Sequence, residues 1–110
     1  MTSQEGLSEM VRHFDASKAK GIDATVQMKL TGSDGGEYHI MIKDGAAKLV
    51  TGHADHPNAT VEVASKDWMD ILAGTLDSTA AFMNGKLRVS GDLGLMMRFQ
   101  SMFVAGLATR

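Results

Sequence analysis

The segment from residue 52 to 58 holds the densest group of side chains that could bind a metal ion. His53, Asp55 and His56 lie close together there, and imidazole and carboxylate groups are ordinary metal ligands. A metal site usually needs three or four ligands at defined spacing, and no distant partner for this group can be placed. Because the chain's only proline and Asn58 also lie in this segment, we interpret it as a solvated, turn-rich loop and predict no metal site.

No other grouping of residues predicts catalysis. The sequence has no cysteine, which excludes thiolate chemistry and a disulfide framework. The glycine-rich phosphate loops and the nucleophile-elbow motif are missing. His13 and His39 fall on the polar sides of their predicted elements, where we expect them to be exposed. Asp67 suits the electrostatics of a helix N-terminus. We therefore predict no catalytic residue and no cofactor.

Composition narrows the class of partner. The chain has 110 residues, 11 basic and 13 acidic, with a net charge of −2. Nucleic-acid-binding domains are usually basic with clustered Lys and Arg, so we expect no nucleic acid. The length fits one domain over residues 1–110 with a real core. No signal peptide and no bilayer-spanning apolar stretch can be identified, and we expect a soluble, cytoplasmic protein.

Apolar periodicity in the first half predicts one helix and three strands. Leu7, Met10, Val11 and Phe14 have the spacing of one helix face. Three alternating stretches follow and predict strands, with a glycine-rich turn after the first and Asp44-Gly45, a preferred hairpin turn, after the second. These strands, at 24–31, 37–43 and 46–51, should form an antiparallel meander.

The second half continues with alternating and helical patterns. A strand is predicted at 59–63, and Ser65 is expected to cap a helix that ends at Gly74. A short helix should run over 77–84, with Asp77 as its N-cap and Gly85 as its left-handed stop. A strand at 86–90 leads to a turn at Gly91-Asp92 and a final helix, whose free N–H groups can donate a hydrogen bond to Asp92. Together the elements predict an α+β class with one largely antiparallel sheet and helices packed against it.

The final helix is more apolar than an ordinary surface helix. On a helical wheel, Gly94, Arg98, Ser101 and Ala105 form one narrow stripe, and nearly every other position is large and apolar. The chain also has nine methionines, a flexible residue that suits varied apolar partners. Five of them crowd into the C-terminal part: Met69, Met83, Met96, Met97 and Met102. The excess apolar surface must be buried against protein, a partner, a membrane surface or an apolar ligand.

Residues 58–103 carry a series of motifs in a distinctive order. The series begins with the strand Asn58-Ala59-Thr60-Val61-Glu62-Val63 and the helix with Trp68 that ends in Gly74. It continues through Phe82-Met83-Asn84-Gly85-Lys86-Leu87 and ends at Gly91-Asp92, which opens the last helix. This series resembles the sterol carrier protein 2 (SCP2) domain family. The resemblance implies a five-stranded, largely antiparallel sheet with helices on one face and a hydrophobic tunnel between the layers.

The resemblance also implies a non-catalytic carrier of fatty acids, fatty acyl-CoA, sterols or other lipids. Eukaryotic carriers of this family commonly end in a peroxisomal tripeptide, whereas this chain ends in Ala108-Thr109-Arg110. We therefore expect a stand-alone, prokaryotic, cytosolic member. The family has no invariant polar ligand-binding residue to carry over. The predicted lining comes from apolar faces: Val26, Met28, Ile40, Trp68, Ile71, Leu72, Phe82, Met83, Leu95, Met96, Phe99, Met102 and Phe103.

Three other functions remain open. The domain could be an accessory or dimerisation module of an enzyme that handles lipids or quinones, with the final helix as the interface of a homodimer. It could hydrolyse bound thioesters, although no nucleophile–base pair is visible. It could lie on a membrane surface, but Arg98 is the only charge of the polar stripe, which disfavours more than transient membrane contact. The leading prediction remains a lipid or fatty acyl ligand held in an apolar tunnel.

Overall fold

The computed structural model describes residues 2–98, with the backbone alone for Ser3 and Ser78. These residues form four α-helices, a short 3-10 helix at Ala16–Lys18 and five strands. The helices are α1 (Ser3–Arg12), α2 (Ser65–Ala73), α3 (Ser78–Met83) and α4, described over residues 93–98. The strands are β1 (Ala24–Thr31), β2 (Gly36–Lys43), β3 (Ala46–Thr51), β4 (Ala59–Ala64) and β5 (Leu87–Gly91). The predicted order of elements is confirmed.

The five strands form one mixed sheet in the order β3-β2-β1-β4-β5. The pairs β1–β2, β2–β3 and β4–β5 are antiparallel, and β1 pairs in parallel with β4. On the central strand, Val26 lies opposite Ile40 on one side and Ala59 on the other. The predicted meander and the largely antiparallel sheet are both confirmed.

The core lies on one face of this sheet. Ala24, Val26, Met28 and Leu30 alternate along β1 and are all buried, as the period of two in a strand requires. Their neighbours on β2 and β4 continue the same face, and each of the four helices contributes at least one side chain to it. The core residues that come from the helices, and from the segment between the 3-10 helix and β1, are Leu7, Met10, Ala19, Ile22, Trp68, Ile71, Leu72, Ala81 and Leu95.

Local hydrogen bonds fix the ends of the short helix α3 as the sequence predicted. The carboxylate of Asp77 accepts the backbone N–H of Ala80 at 2.9 Å. At the other end Gly85 is left-handed, with φ +78°. The N–H of Lys86 donates to the carbonyl oxygen of Ala81 at 2.9 Å, which completes a Schellman stop.

The predicted cap of α2 is wrong. The N-cap position is held by Ala64, which makes no side-chain capping bond. Ser65 is instead the first helical residue, and its side chain is buried. The strand β4 runs directly into the helix without a loop, so its last extended residue, Ala64, occupies the N-cap position and Ser65 is already helical.

The connection from β3 to β4 crosses the face of the sheet opposite the helices. It must pass β2 and β1, a distance of about 14 Å for three strand spacings, which residues 52–58 can span in extended form. The side chain of Gln27 points to this face and is fully buried. Its Oε1 accepts the N–H of Ala54 at 2.7 Å, and its Nε2 donates to the carbonyl oxygens of Tyr38 at 3.0 Å and Gly52 at 3.4 Å.

We expect Gln27→Leu to destabilise the protein by about 2–3 kcal/mol, because it leaves the buried N–H of Ala54 without its acceptor. Urea unfolding monitored by circular dichroism measures the change. Gln4→Leu, the same replacement at an exposed position of α1, is the matched control and should shift stability by less than about 0.5 kcal/mol. Equal effects of the two substitutions would show that Gln27 does not anchor the connection.

A capping box at the start of α1 makes stability depend on pH. The backbone N–H of Thr2 donates to the Glu5 carboxylate at 2.8 Å, and this bond is the largest cause that lowers the pKa of Glu5 from its ordinary 4.5. A lowered pKa in the folded state stabilises the protein above the unfolded pKa, and the contribution is lost as the pH falls through the folded value.

We therefore expect the wild type to exceed Glu5→Gln in stability at pH 7, and the difference to shrink as the pH falls below 4.5. Urea unfolding of both proteins between pH 7 and pH 3 measures this difference. The other carboxylates contribute equally to the pH dependence of both proteins, so their contributions cancel in the comparison. A difference that stays constant over this range would contradict the role assigned to Glu5.

Candidate functional site

The predicted lining residues of the sheet lie next to one another at its centre. Val26, Met28 and Ile40 are each 0% exposed. Val26 pairs with Ile40 across the β1–β2 ladder, and Met28 lies one pleat further along β1. These three side chains form the floor of an apolar layer between the sheet and the helices.

Helix α2 covers this floor from above. It packs on β1 and β4, and its buried side chains recur at helical spacing: Ser65, Trp68, Ile71 and Leu72. The predicted lining residues Trp68, Ile71 and Leu72 are all at least nine-tenths buried. The predicted lining residues of α2 therefore belong to its buried stripe.

Helix α4 is positioned by hydrogen bonds that reach back to the start of β1. The carboxylate of Asp92 accepts the N–H of Leu95 at 3.0 Å, as expected for its N-cap. The N–H of Asp92 donates to the carbonyl oxygen of Asn58 at 3.0 Å. Asn58 in turn accepts the N–H of Thr25 on its side chain at 2.9 Å. This arrangement places Leu95 in the core and Met96 partly buried against it.

Two predicted lining residues on α3 lie at the surface. Phe82 is 51% exposed and Met83 is 79% exposed, whereas the inward side chain of this helix is the fully buried Ala81. A helix of six residues presents little more than one such inward position. The remaining predicted lining residues, Phe99, Met102 and Phe103, lie outside the described residues.

The apolar layer contains no buried charge among residues 2–98. The buried polar side chains of this part of the chain are Gln27, which faces the opposite side of the sheet, and Ser65. The two carboxyl groups with shifted pKa values are not among the buried side chains: the pKa of the exposed Glu5 is lowered by Thr2, and the pKa of the half-buried Asp15 by hydrogen bonds from Ser17. The layer therefore offers an apolar environment rather than acid–base chemistry.

The histidine-containing loop lies away from this layer. His53 and His56 are exposed, and the nearest acid to His53 is Glu37, with Nδ1 and Oε1 3.8 Å apart. Within residues 2–98, no three His, Cys, Asp or Glu side chains are grouped so that they could hold a metal ion. His39 was expected to be exposed but is half-buried, and its Nδ1 donates to the carbonyl oxygen of Gly52 at 3.0 Å.

Gly6, which the sequence did not single out, sets the spacing between α1 and α2. A Cβ atom at this position would lie 2.7 Å from Cδ1 of Leu72 and 2.9 Å from Sδ of Met69. Both distances are shorter than van der Waals contact, so a larger residue at this position would force the ends of the Leu72 and Met69 side chains to shift. The sequence does contain one indication of this contact. Gly6 lies inside a helical pattern, where glycine weakens a helix unless close packing requires it.

We expect Gly6→Ala to be less stable than Gly94→Ala by about 1–3 kcal/mol, because the new methyl group overpacks the contact with Leu72 and Met69. Gly94 is the matched control, since it is an exposed helical glycine whose added Cβ would meet only Asp92 Oδ1, at 3.4 Å. Urea unfolding of the two variants measures the difference. Similar stabilisation of both variants by the better helix propensity of alanine would contradict the tight contact.

No helix within residues 2–98 is both long and apolar enough to cross a membrane. The candidate site thus consists of a sheet with one buried face, helices on that face, and an apolar layer between them.

Comparisons with known proteins identify the fold. Rat hydroxysteroid dehydrogenase-like protein 2 is 29% identical over 84 residues, which cover 76% of this chain but only 16% of the rat protein. The solution structure of palmitated SCP2L2 from Aedes aegypti has a TM-score of 0.74 at 21% identity, covering 94% of this chain and 95% of that one. UbiJ-SCP2, a ubiquinone synthesis protein, has a TM-score of 0.70 at 14% identity, covering 93% and 90%.

At these identities the two solved structures show the fold alone. The family follows from the sequence, because the family model of the SCP-2 sterol transfer proteins matches residues 8–104, nearly the whole chain. This protein is therefore a member of the SCP-2 sterol transfer family.

Proposed function

We propose that this protein is a non-catalytic carrier that binds one apolar lipid between the helices and the buried face of the sheet. The observation that carries the proposal is the apolar layer itself. Four helices cover one sheet face, and within the described residues that layer contains no buried charged side chain. Membership of a sterol transfer family supports this interpretation.

Partition of the lipid from water supplies the driving force. Transfer of an acyl chain into an apolar site gains about 0.8 kcal/mol for each buried CH₂ group. Methionine side chains in the layer, Met10, Met28, Met69 and Met96, can adjust their rotamers to ligands of different shape. We therefore expect broad rather than sharp specificity among fatty acids, fatty acyl-CoA and sterol-like lipids.

The palmitated structural neighbour supports a fatty acyl ligand, and the family supports a sterol-like one. We propose that Leu95 and Met96 of α4 line the site together with Phe99, Met102 and Phe103, which lie outside the described residues. A tunnel closed by this helix would need the helix to move for a lipid to enter. We place the carrier in the cytoplasm.

Methionine methyl groups provide a direct test of the site. In protein labelled with ¹³C at the methionine methyls, bound palmitate should give intermolecular nuclear Overhauser effects to Met28, Met69 and Met96, which border the layer. Met41 is the matched control, because it lies on the opposite face of the sheet and is 42% exposed. Met41 should give no such effect.

The exposed Met83 distinguishes a bound lipid from lipid that merely adsorbs to the surface. At 79% exposure it would contact adsorbed lipid before the fully buried Met28 could. Effects confined to Met41 and Met83, with none at Met28, would place the lipid on the surface and contradict the proposed site. Absence of any binding would contradict the carrier function as a whole.

A second candidate function is an accessory module for a lipid- or quinone-handling enzyme. Two observations favour it: the chain spans only 16% of the rat relative, and one structural neighbour is a ubiquinone synthesis protein. Large apolar side chains at the surface, Phe82, Met83, Leu93 and Met97, fit a protein interface. Sedimentation velocity at increasing concentration separates the two functions: a dimer that binds no lipid would favour the module, and a lipid-binding monomer the carrier.

A further inference from the structure

The indole N–H of Trp68 is buried without a hydrogen-bond acceptor. Trp68 is 7% exposed, and no acceptor for its Nε1 lies within hydrogen-bond distance among the described residues. Buried polar groups in folded proteins are nearly always hydrogen-bonded, and an unpaired one costs about 1–3 kcal/mol. The indole N–H is therefore a buried donor without a hydrogen-bond acceptor.

The described residues around Trp68 do not supply an acceptor for this N–H. Trp68 lies on the inward face of α2, one turn after Ser65 and one turn before Ile71 and Leu72. The other buried polar side chains of the described part are Ser65 and Gln27. The hydroxyl of Ser65 makes no hydrogen bond with the indole, and the hydrogen bonds of Gln27 are directed to the crossing loop and to β2 on the opposite face of the sheet. An acceptor for Trp68 must therefore come from outside these residues.

We infer that the ligand of the apolar layer provides this acceptor: a neutral oxygen atom, such as a ketone or ester carbonyl or a hydroxyl group, that accepts the Nε1–H of Trp68. This inference rests on the proposed carrier function and makes it more specific. It assigns Trp68 as the polar contact that orients the ligand, in a layer that otherwise selects only for apolar character.

The lack of buried charged side chains among the described residues favours a neutral oxygen over a carboxylate. No Lys, Arg or His side chain is buried among the described residues, so an ionised carboxylate beside Trp68 would lose its hydration without gaining a countercharge. One neutral N–H donor does not compensate for that loss. Fatty acids should consequently bind with the carboxylate away from Trp68, and neutral oxygen-bearing lipids with their oxygen against it.

The only tryptophan of the chain makes the test unambiguous. Dodecan-2-one and dodecane differ by one carbonyl oxygen, and Trp68→Phe keeps the aromatic ring while it removes the N–H donor. Dissociation constants of both ligands are measured by isothermal titration calorimetry for wild type and variant. We expect Trp68→Phe to weaken binding of the ketone by about three- to tenfold and to change binding of the alkane by less than about twofold.

The indole ¹H–¹⁵N signal of Trp68 gives a second readout that a purely structural role would not move. Dodecan-2-one should shift the indole proton downfield, while dodecane and ionised dodecanoate should not. A dodecanoate shift as large as that of the ketone would overturn the preference for a neutral oxygen. Retention of the native amide spectrum by Trp68→Phe confirms that the variant is folded.

The outcomes separate this inference from the function on which it rests. If both ligands bind the wild type, yet Trp68→Phe affects them equally and the indole proton does not respond to the ketone, the role of Trp68 is overturned and the carrier function stands. If neither ligand binds the wild type, the carrier function itself fails, and the inference fails with it.

Discussion

The buried amide of Gln27 holds the connection on which the order of the sheet depends. It bonds to the backbone at Ala54, Gly52 and Tyr38 and so fixes the loop that carries the chain from the edge strand β3 to β4. Parallel neighbours such as β1 and β4 usually require a crossover helix. Here an extended loop crosses the sheet, and the face on which it lies needs no helix.

All four helices are thereby free to cover the other face. Gly6 lets α1 approach α2 closely, and Asn58 ties the start of α4 to the start of β1. The layer beneath them is built from side chains without charge within the described residues, which suits partition of a lipid and offers no pair of groups for acid–base catalysis. The unpaired indole of Trp68 lies on the buried stripe of α2, the stripe that covers this layer.

Much of this architecture could be predicted because it follows from local periodicity. The alternation of β1 predicted the inward face of Val26 and Met28, and short-range capping predicted the roles of Asp77 and Asp92. Gln27 escaped prediction because the same alternation assigns a glutamine to the wet face, and only the loop crossing that face buries it. Gly6 depends likewise on a contact between distant segments, whereas Ser65 was assigned to the cap wrongly because β4 continues directly into α2. In α3 the helix is too short for periodicity to separate the buried Ala81 from the exposed Met83.

The most direct test of the central claim is native mass spectrometry of the purified protein, followed by organic extraction of whatever it carries. The carrier function predicts one lipid per chain, drawn from a family of related apolar molecules, because flexible methionine walls accept ligands of different shape. A protein that is empty as purified, and that takes up no lipid when palmitate is added, would contradict the carrier function.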